Sequence, residues 1–360
     1  MPESKLTDGF VPSGTSDRDL EYILRILERP EVEQVEEIDG FARFCALLRG
    51  LKAVSAGDGQ PATLDFKDAQ ALGLDDGMSL LLLRECYFEL EAQITYRRVA
   101  IVGTPGIGKT MFMAFCLWRL AQEDNVAVLC QIQKIYYAVV WRRREEPKIC
   151  RLREFQAQGL ALVDTCWYLA DLHGPDDRPL DGRGRARTIV FTSPNPKKYH
   201  AHVEKRSGDV LYMPPWTEKE LQHYAQASGG AFYQGDGACS MEDCVRERYA
   251  RYGGVPRIVL ASREGSFITH NESFEQALAD VPENLAQFCD IWKKADNALP
   301  ENLVGVSDKV LHLIPEQGSR CRDVYREFCS EKVKDEVFAR FILPFLTLLN
   351  ATLPFLRKTI

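Results

Sequence analysis

The residues best suited to do chemistry stand together in one stretch, RVAIVGTPGIGKT, from Arg98 to Thr110. It fits G-x-x-x-x-G-K-[ST] at every fixed position, namely Gly103, Gly108, Lys109 and Thr110. Gly103, Gly106 and Gly108 let the backbone turn and come close to a polyphosphate. The N–H groups of the whole loop, with Thr104, Pro105 and Ile107 between the glycines, and of the helix start that follows then point at negative charge. Lys109 is placed to reach β- and γ-phosphates, and the Thr110 hydroxyl to hold Mg²⁺. The expected ligands are therefore a nucleoside triphosphate, taken as ATP, and Mg²⁺; base contacts lie outside the motif, so it does not separate ATP from GTP.

Such a loop works only between a strand and a helix. Val99 to Val102 are β-forming and apolar, and MFMAFCLWRLAQ after Thr110 is apolar at helical spacing with no Gly or Pro. Further short apolar runs read as strands at Val126–Ile132, Ile135–Trp141, Gly159–Asp164 and Thr188–Ser193. The second of these pairs with the first as a hairpin or is bent. Strands alternating with helical stretches predict an α/β fold with a mostly parallel sheet. Two amphipathic helices are expected within Asp17–Lys52 and another over Ser79–Ile94, and the chain after Thr217 reads as helical. Residues 1 to about 16 are polar and read as disordered.

A carboxylate must complete the metal shell, and it usually stands at the end of a neighbouring strand. Asp164, after Leu160–Val163, is the candidate. Asp171, in the next turn, reads as a solvated acid, the alternative being that it stands in for a water-orienting Glu. Thr165 follows Asp164 where many phosphate-loop ATPases carry a water-orienting Glu, which predicts slow hydrolysis. Among Thr192, Ser193 and Asn195, at the tip of the next strand, Ser193 is chosen as the polar group facing a γ-phosphate. In Gly253-Gly254-Val255-Pro256-Arg257 the glycines end one helix and the proline starts another, so Arg257 is directed from a helix N-terminus. An arginine so placed can tie a γ-phosphate to a helical lid.

Composition sets the remaining bounds. The 360 residues carry a net charge of −7 with 45% hydrophobic content, which suits a globular core and argues against an overall electrostatic grip on nucleic acid. The 11 cysteines are scattered without C-x-x-C, as in a reducing compartment. Arg142–Arg144 with Lys148, the Arg183, Arg185 and Arg187 run, and His200 with His202 read as solvated loop residues. The N-terminus has no apolar signal region, and Phe341–Leu356, broken by Pro344, Asn350 and Pro354, is too short to span a bilayer.

LLLRECYFEL, GTPGIGKT, LVD, VFTSPNP, YMPPWTEKEL and RYGGVPRIVL together resemble the NTPase module of the Crinkler and retrotransposon-hot-spot proteins, and Ser307–Val333 resembles the segment that often follows it. The resemblance covers about residues 79 to 335, and MPPWTEKEL with GGVPR is its more diagnostic part. It implies a STAND- or AAA-like P-loop NTPase, often joined to a C-terminal nuclease- or kinase-like domain, in effectors that enter host cells and often the nucleus. It implies nucleic acid or a host protein as partner. No LFLAK-type delivery header is present, and Glu146-Pro147-Lys148 supplies only half of a nuclease set, so a truncated or headless member is expected.

The expected organisation is a variable N-terminal helical region over 1–76, a P-loop NTPase domain over 77–265 and a C-terminal helical region over 266–360. The leading function is an ATP–Mg²⁺ switch with Lys109, Asp164 and Arg257 as its acting residues. The alternatives are a small-molecule or nucleoside kinase, with the RGRAR loop as lid, and a non-catalytic nucleotide-binding interaction protein. No membrane contact is expected, and oligomeric state stays open.

Overall fold

The computed structural model describes residues 14–34, 40–55, 61–66, 69, 72, 79–174, 176–180, 184–201, 203, 207–235, 240–282, 288, 306 and 309–341. The disorder expected for the first residues, and most of the apolar segment after Phe341, lie outside them. Helix α1 (Asp17–Leu27) is capped by the Ser16 hydroxyl, which accepts from the Asp19 N–H, and buries Leu20, Ile23, Ile26 and Leu27 at helical spacing. After the two-residue strand β1 (Glu33–Gln34), helix α2 (Gly40–Leu47) buries Phe41, Phe44 and Cys45. Strands β2 (Val54–Ser55), β3 (Ala62–Asp65) and β4 (Leu80–Leu82) form a small antiparallel sheet. Helix α3 (Glu85–Gln93) follows, so the long helix expected from Ser79 is a strand and then a shorter helix. Four leucines in a row carry no period that separates the two states.

The main sheet begins with β5 (Arg98–Val102), which leads into the 13-residue helix α4 (Lys109–Ala121). Strands β6 (Val126–Ile132) and β7 (Ile135–Trp141) are joined by Gln133 and Lys134, at φ 49° and 66°, the conformation of a two-residue hairpin turn. Then come β8 (Lys148–Leu152), α5 (Glu154–Ala161), β9 (Trp167–Leu172), β10 (Arg187–Thr192), α6 (Pro196–Tyr199) and β11 (Asp209–Tyr212). The strand expected over Gly159–Asp164 is instead the end of α5 and a turn. Gln156 Oε1 accepts the Arg153 N–H at 2.8 Å at the helix start, and Ala157, Leu160 and Ala161 are buried at i, i+3 and i+4.

Strand order is β1-β8-β7-β6-β9-β10-β5-β11. The pairs from β6 through β9, β10 and β5 to β11 are parallel; those joining β6, β7, β8 and β1 are antiparallel. The sheet is therefore mixed rather than mostly parallel. Helices α2, α3 and α4 cover one face, with Val99, Ile101, Leu169 and Phe191 beneath them. Helices α1 and α5, with Tyr199 and Val203, cover the other, over Ala100, Val102, Ala170 and Val190.

A third core joins Leu82 and Trp216 to helices α7 (Glu218–Ala227), α8 (Met241–Tyr252), α9 (Pro256–Val259) and α10 (Glu264–Ala279). The antiparallel hairpin of β12 (Leu311–Pro315) and β13 (Val324–Phe328) completes it, so the C-terminal region is not helical throughout. The described cysteines are free thiols, all buried. No described helix is long and apolar enough to cross a membrane.

Candidate functional site

Between Val102 and Lys109 the chain makes a tight loop. Gly106 and Gly108 take φ of 84° and 97°, which glycine alone adopts at little cost. A Cβ on Gly103 would stand 2.6 Å from Ile107 Cδ1 and 2.9 Å from the Met213 carbonyl. The loop opens into the first turn of α4, whose leading N–H groups have no carbonyl partner within the helix. Lys109 Nζ donates to the carbonyls of Gly103 and Thr104 at 2.8 and 3.0 Å, so its ammonium lies over the loop's own peptide oxygens. Helix α4 leaves β5 across β10 and β9 on one face, while the connection from β10 to β11 runs over the other. The two connections part beside the loop, and the carboxyl ends of parallel strands at such a parting are where α/β proteins hold ligands.

Asp171 supplies a carboxylate at this end of the sheet. Leu169 packs in the core beneath α4, and strand alternation turns Asp171 to the same face. Asp171 is 4% exposed. His173 Nε2 lies 2.8 Å from Asp171 Oδ2 and 3.3 Å from Thr110 Oγ1, so the three side chains form one chain of contacts. The loop beyond is clasped by Asp177, which accepts the Gly174 N–H at 2.6 Å and lies 3.6 Å from Lys134 in the β6–β7 turn.

Asp164 is elsewhere, and this corrects the expectation from sequence. It precedes β9, at the amino end of the parallel strands, and pairs with Arg97 at 3.1 Å with both side chains half exposed. Six residues of β9, roughly 20 Å at about 3.3 Å each, separate it from the loop end. A hollow of about 300 Å³ beside it, lined by Asp19, Tyr22, Leu162 and Arg185, is at that same amino end. Ser193 follows β10 directly and is half-buried. Thr192 precedes it with a buried hydroxyl that has no hydrogen-bond partner among the described residues; alternation with Phe191 turns it to the face away from α4.

The two motifs singled out in the sequence close around the loop. Trp216 Nε1 donates to the Ile107 carbonyl at 2.8 Å, and its backbone N–H donates to the Gly254 carbonyl at 2.9 Å. A Cβ on Gly254 would stand 2.0 Å from the Trp216 carbonyl. Arg257 lays its Cβ and Cδ over Gly106, where a Cβ would meet them at 3.0 and 3.4 Å, and its side chain is otherwise exposed. Arg84, at 1% exposure, is the buried brace of this collar. It donates to Glu220 at 2.8 Å and to the carbonyls of Pro214 and Pro215 at 3.2 and 2.9 Å, and it lies 5.0 Å from the Trp216 ring centroid. Burial alone would drag its guanidinium down; the Glu220 carboxylate helps hold it above its ordinary value. From the other side, the Leu313 N–H of β12 approaches Thr104 Oγ1 at 3.4 Å.

The structure thus brings Gly103–Thr110, Arg257 and the end of β10 together and leaves Asp164 out. His173, Arg84 and the burial of Asp171 beside Thr110, which sequence read as a solvated acid, were missed from sequence. Their signals were present: in WYLADLH an apolar run closes on an acid and a histidine two residues apart, and Arg84 breaks an apolar run just before a helix. Chemically, the loop can cradle a polyphosphate, and Thr110 with Asp171 can offer two oxygen donors to a divalent ion.

An α/β protein with a mixed sheet and a glycine-lined loop at its parallel end is the class these observations define. No family model matches the chain. It is 28% identical over 167 residues to Crinkler effector protein 15 of Phytophthora infestans, covering 46% of this chain and 25% of that one. It is also 28% identical over 163 residues to Crinkler effector protein 16 of the same organism, covering 44% and 24%. The chain spans about a quarter of the length of these relatives and is distantly similar to them.

Proposed function

We propose that this chain is a Crinkler-like P-loop NTPase that binds ATP with a divalent ion at Gly103–Thr110 and hydrolyses it slowly, as a switch. The loop carries the reading: two positive-φ glycines and Lys109 at the start of α4, with Thr110 linked through His173 to the buried Asp171. The donor set suits the ligand: Lys109 and Thr110 stand at the start of α4, and Asp171 shares the α4 face of the sheet with Leu169. Lys109 would neutralise the β- and γ-phosphates, and Thr110 and Asp171 would hold Mg²⁺, which when bound offsets charge between the phosphates. Asp171 replaces Asp164 in this role. Ser193 would meet the γ-phosphate from the β10 side. Arg257, seated on Gly106, would report that phosphate to α9 and the helices behind it.

Slow turnover follows from Leu172, which stands directly after Asp171 where a water-orienting carboxylate would be needed. The same observation favours a second reading, a nucleotide-binding interaction protein without turnover. The output would be that of an effector, as its relatives are named, with a host protein or nucleic acid as the target that the resemblance of its sequence motifs implies.

The test is binding of a fluorescent ATP analogue and single-turnover hydrolysis by the purified chain, with Lys109→Ala as control. The reading expects binding that Lys109→Ala abolishes. Folded wild-type protein that binds no nucleotide would end it, and binding with thermal stabilisation but no turnover would select the second reading.

A further inference from the structure

An imidazole stands between the two oxygens assigned to the metal. His173 Nε2 is 2.8 Å from Asp171 Oδ2 and 3.3 Å from Thr110 Oγ1. Neighbouring donors in an octahedral shell with bonds of about 2.1 Å lie about 3.0 Å apart, the bond length times √2. The two separations from His173, 2.8 and 3.3 Å, lie on either side of that value.

The ring is also held where it stands. The Gly174 N–H is fixed on Asp177 at 2.6 Å, and a Cβ on Gly174 would meet the Asp177 carboxyl at 3.0 Å. Asp177 is itself buried and 3.6 Å from Lys134, so the β6–β7 turn fixes the loop that presents His173. The switch reading uses His173 only as the link between Thr110 and Asp171 and gives its imidazole no chemistry of its own.

We propose that His173 is a third protein donor to the nucleotide's divalent ion, and that the site consequently selects Mn²⁺ over Mg²⁺. This rests on the reading that the loop binds a nucleoside triphosphate. Mg²⁺ requires a near-ideal octahedron of oxygens and gives up water reluctantly. Mn²⁺ takes the same carboxylate and phosphate oxygens and accepts imidazole nitrogen more readily. Among the described residues no cluster of three or more His, Cys, Asp or Glu could hold an ion unaided. The remaining corners of the shell would be filled by phosphate oxygens and water, so the ion would arrive with the nucleotide.

The experiment is pulsed electron paramagnetic resonance of the full chain with Mn²⁺ and a non-hydrolysable ATP analogue, prepared with natural and with ¹⁵N-labelled histidine. The expected result is a nitrogen modulation on the Mn²⁺ signal that changes with the label and disappears in His173→Ala. Affinity for the analogue, measured separately with each ion, is expected to favour Mn²⁺ by at least about tenfold, and His173→Ala should remove most of that preference. The isotope comparison uses wild-type protein, so it does not depend on the variant folding. If the analogue binds but no histidine nitrogen appears, the inference is overturned while the nucleotide reading stands. If the analogue binds with neither ion, both are overturned.

Discussion

Asp164 and Asp171 are seven positions apart and stand at opposite ends of one strand. Asp171→Asn is expected to weaken ion-dependent nucleotide binding by at least about tenfold, because the carboxylate on the α4 face is lost. Asp164→Asn should leave that binding unchanged. It should shift unfolding free energy by no more than about 1 kcal/mol, since its pair with Arg97 is half exposed. Nucleotide titration and denaturant melts of the two variants decide between them. The misreading has a local cause. LALVD and LADLH both end an apolar run in an acid, and a run that short carries neither period clearly. What decides is that α5 buries Leu160 and Ala161 against the sheet, whereas Leu169 and Ala170 are buried on both faces of it. The glycine-lined loop between β5 and α4 was legible because its signal is local: glycines, a lysine and a threonine at fixed spacing between a strand and a helix. His173 was not, because its partners Thr110 and Asp171 meet it only after α4 is laid on β9.

The collar is a property of elements, three segments far apart in sequence that close on one loop. Arg84→Met is expected to destabilise the protein by about 3–5 kcal/mol, because Glu220 would be left partly buried without its cation. Adding Glu220→Gln should recover part of that loss in equilibrium unfolding. Gly254→Ala places a methyl group 2.0 Å from the Trp216 carbonyl oxygen and 2.6 Å from its nitrogen, both backbone atoms that cannot swing aside. It should lower both melting temperature and nucleotide affinity, since Trp216 also holds Ile107. Gly265→Ala is the matched control: α10 leaves open space there, so a gain of about 0.5–1 kcal/mol is expected. The elements least visible in the sequence were β11, four residues long, and the β12–β13 hairpin in a stretch expected to be helical. Strands this short are stabilised by their partners: β11 by pairing with β5, and β12 by pairing with β13 while its Leu313 reaches Thr104.

At the scale of the whole molecule, the loop lies where the sheet's two layers meet the third core, so the parts should respond to acid together. His312 on β12 is fully buried, with its Nε2 lacking a hydrogen-bond partner among the described residues, and burial lowers its pKa from 6.5 to about 4. Its neutral form is the one the fold accepts. Above 6.5 the ring is neutral folded or unfolded, and stability is intact. Between 6.5 and about 4 the unfolded chain takes up the proton first, so stability falls with pH, by roughly 3 kcal/mol across the window. His312→Gln should flatten that part of the pH–stability curve, as read by denaturant unfolding at each pH. The buried cysteines offer a way to watch the parts separately. Cys86 and Cys116 are buried on α3 and α4, Cys150 and Cys166 in the core that α1 and α5 cover, and Cys244 and Cys329 within the third core. Desolvation pushes thiols such as Cys86, Cys166 and Cys329 up to about 12, so in the closed fold an alkylating reagent finds almost no thiolate. Each compartment therefore carries its own chemical stopwatch, and the sequence in which the sulfurs become labelled under mild denaturant would record which compartment parts first.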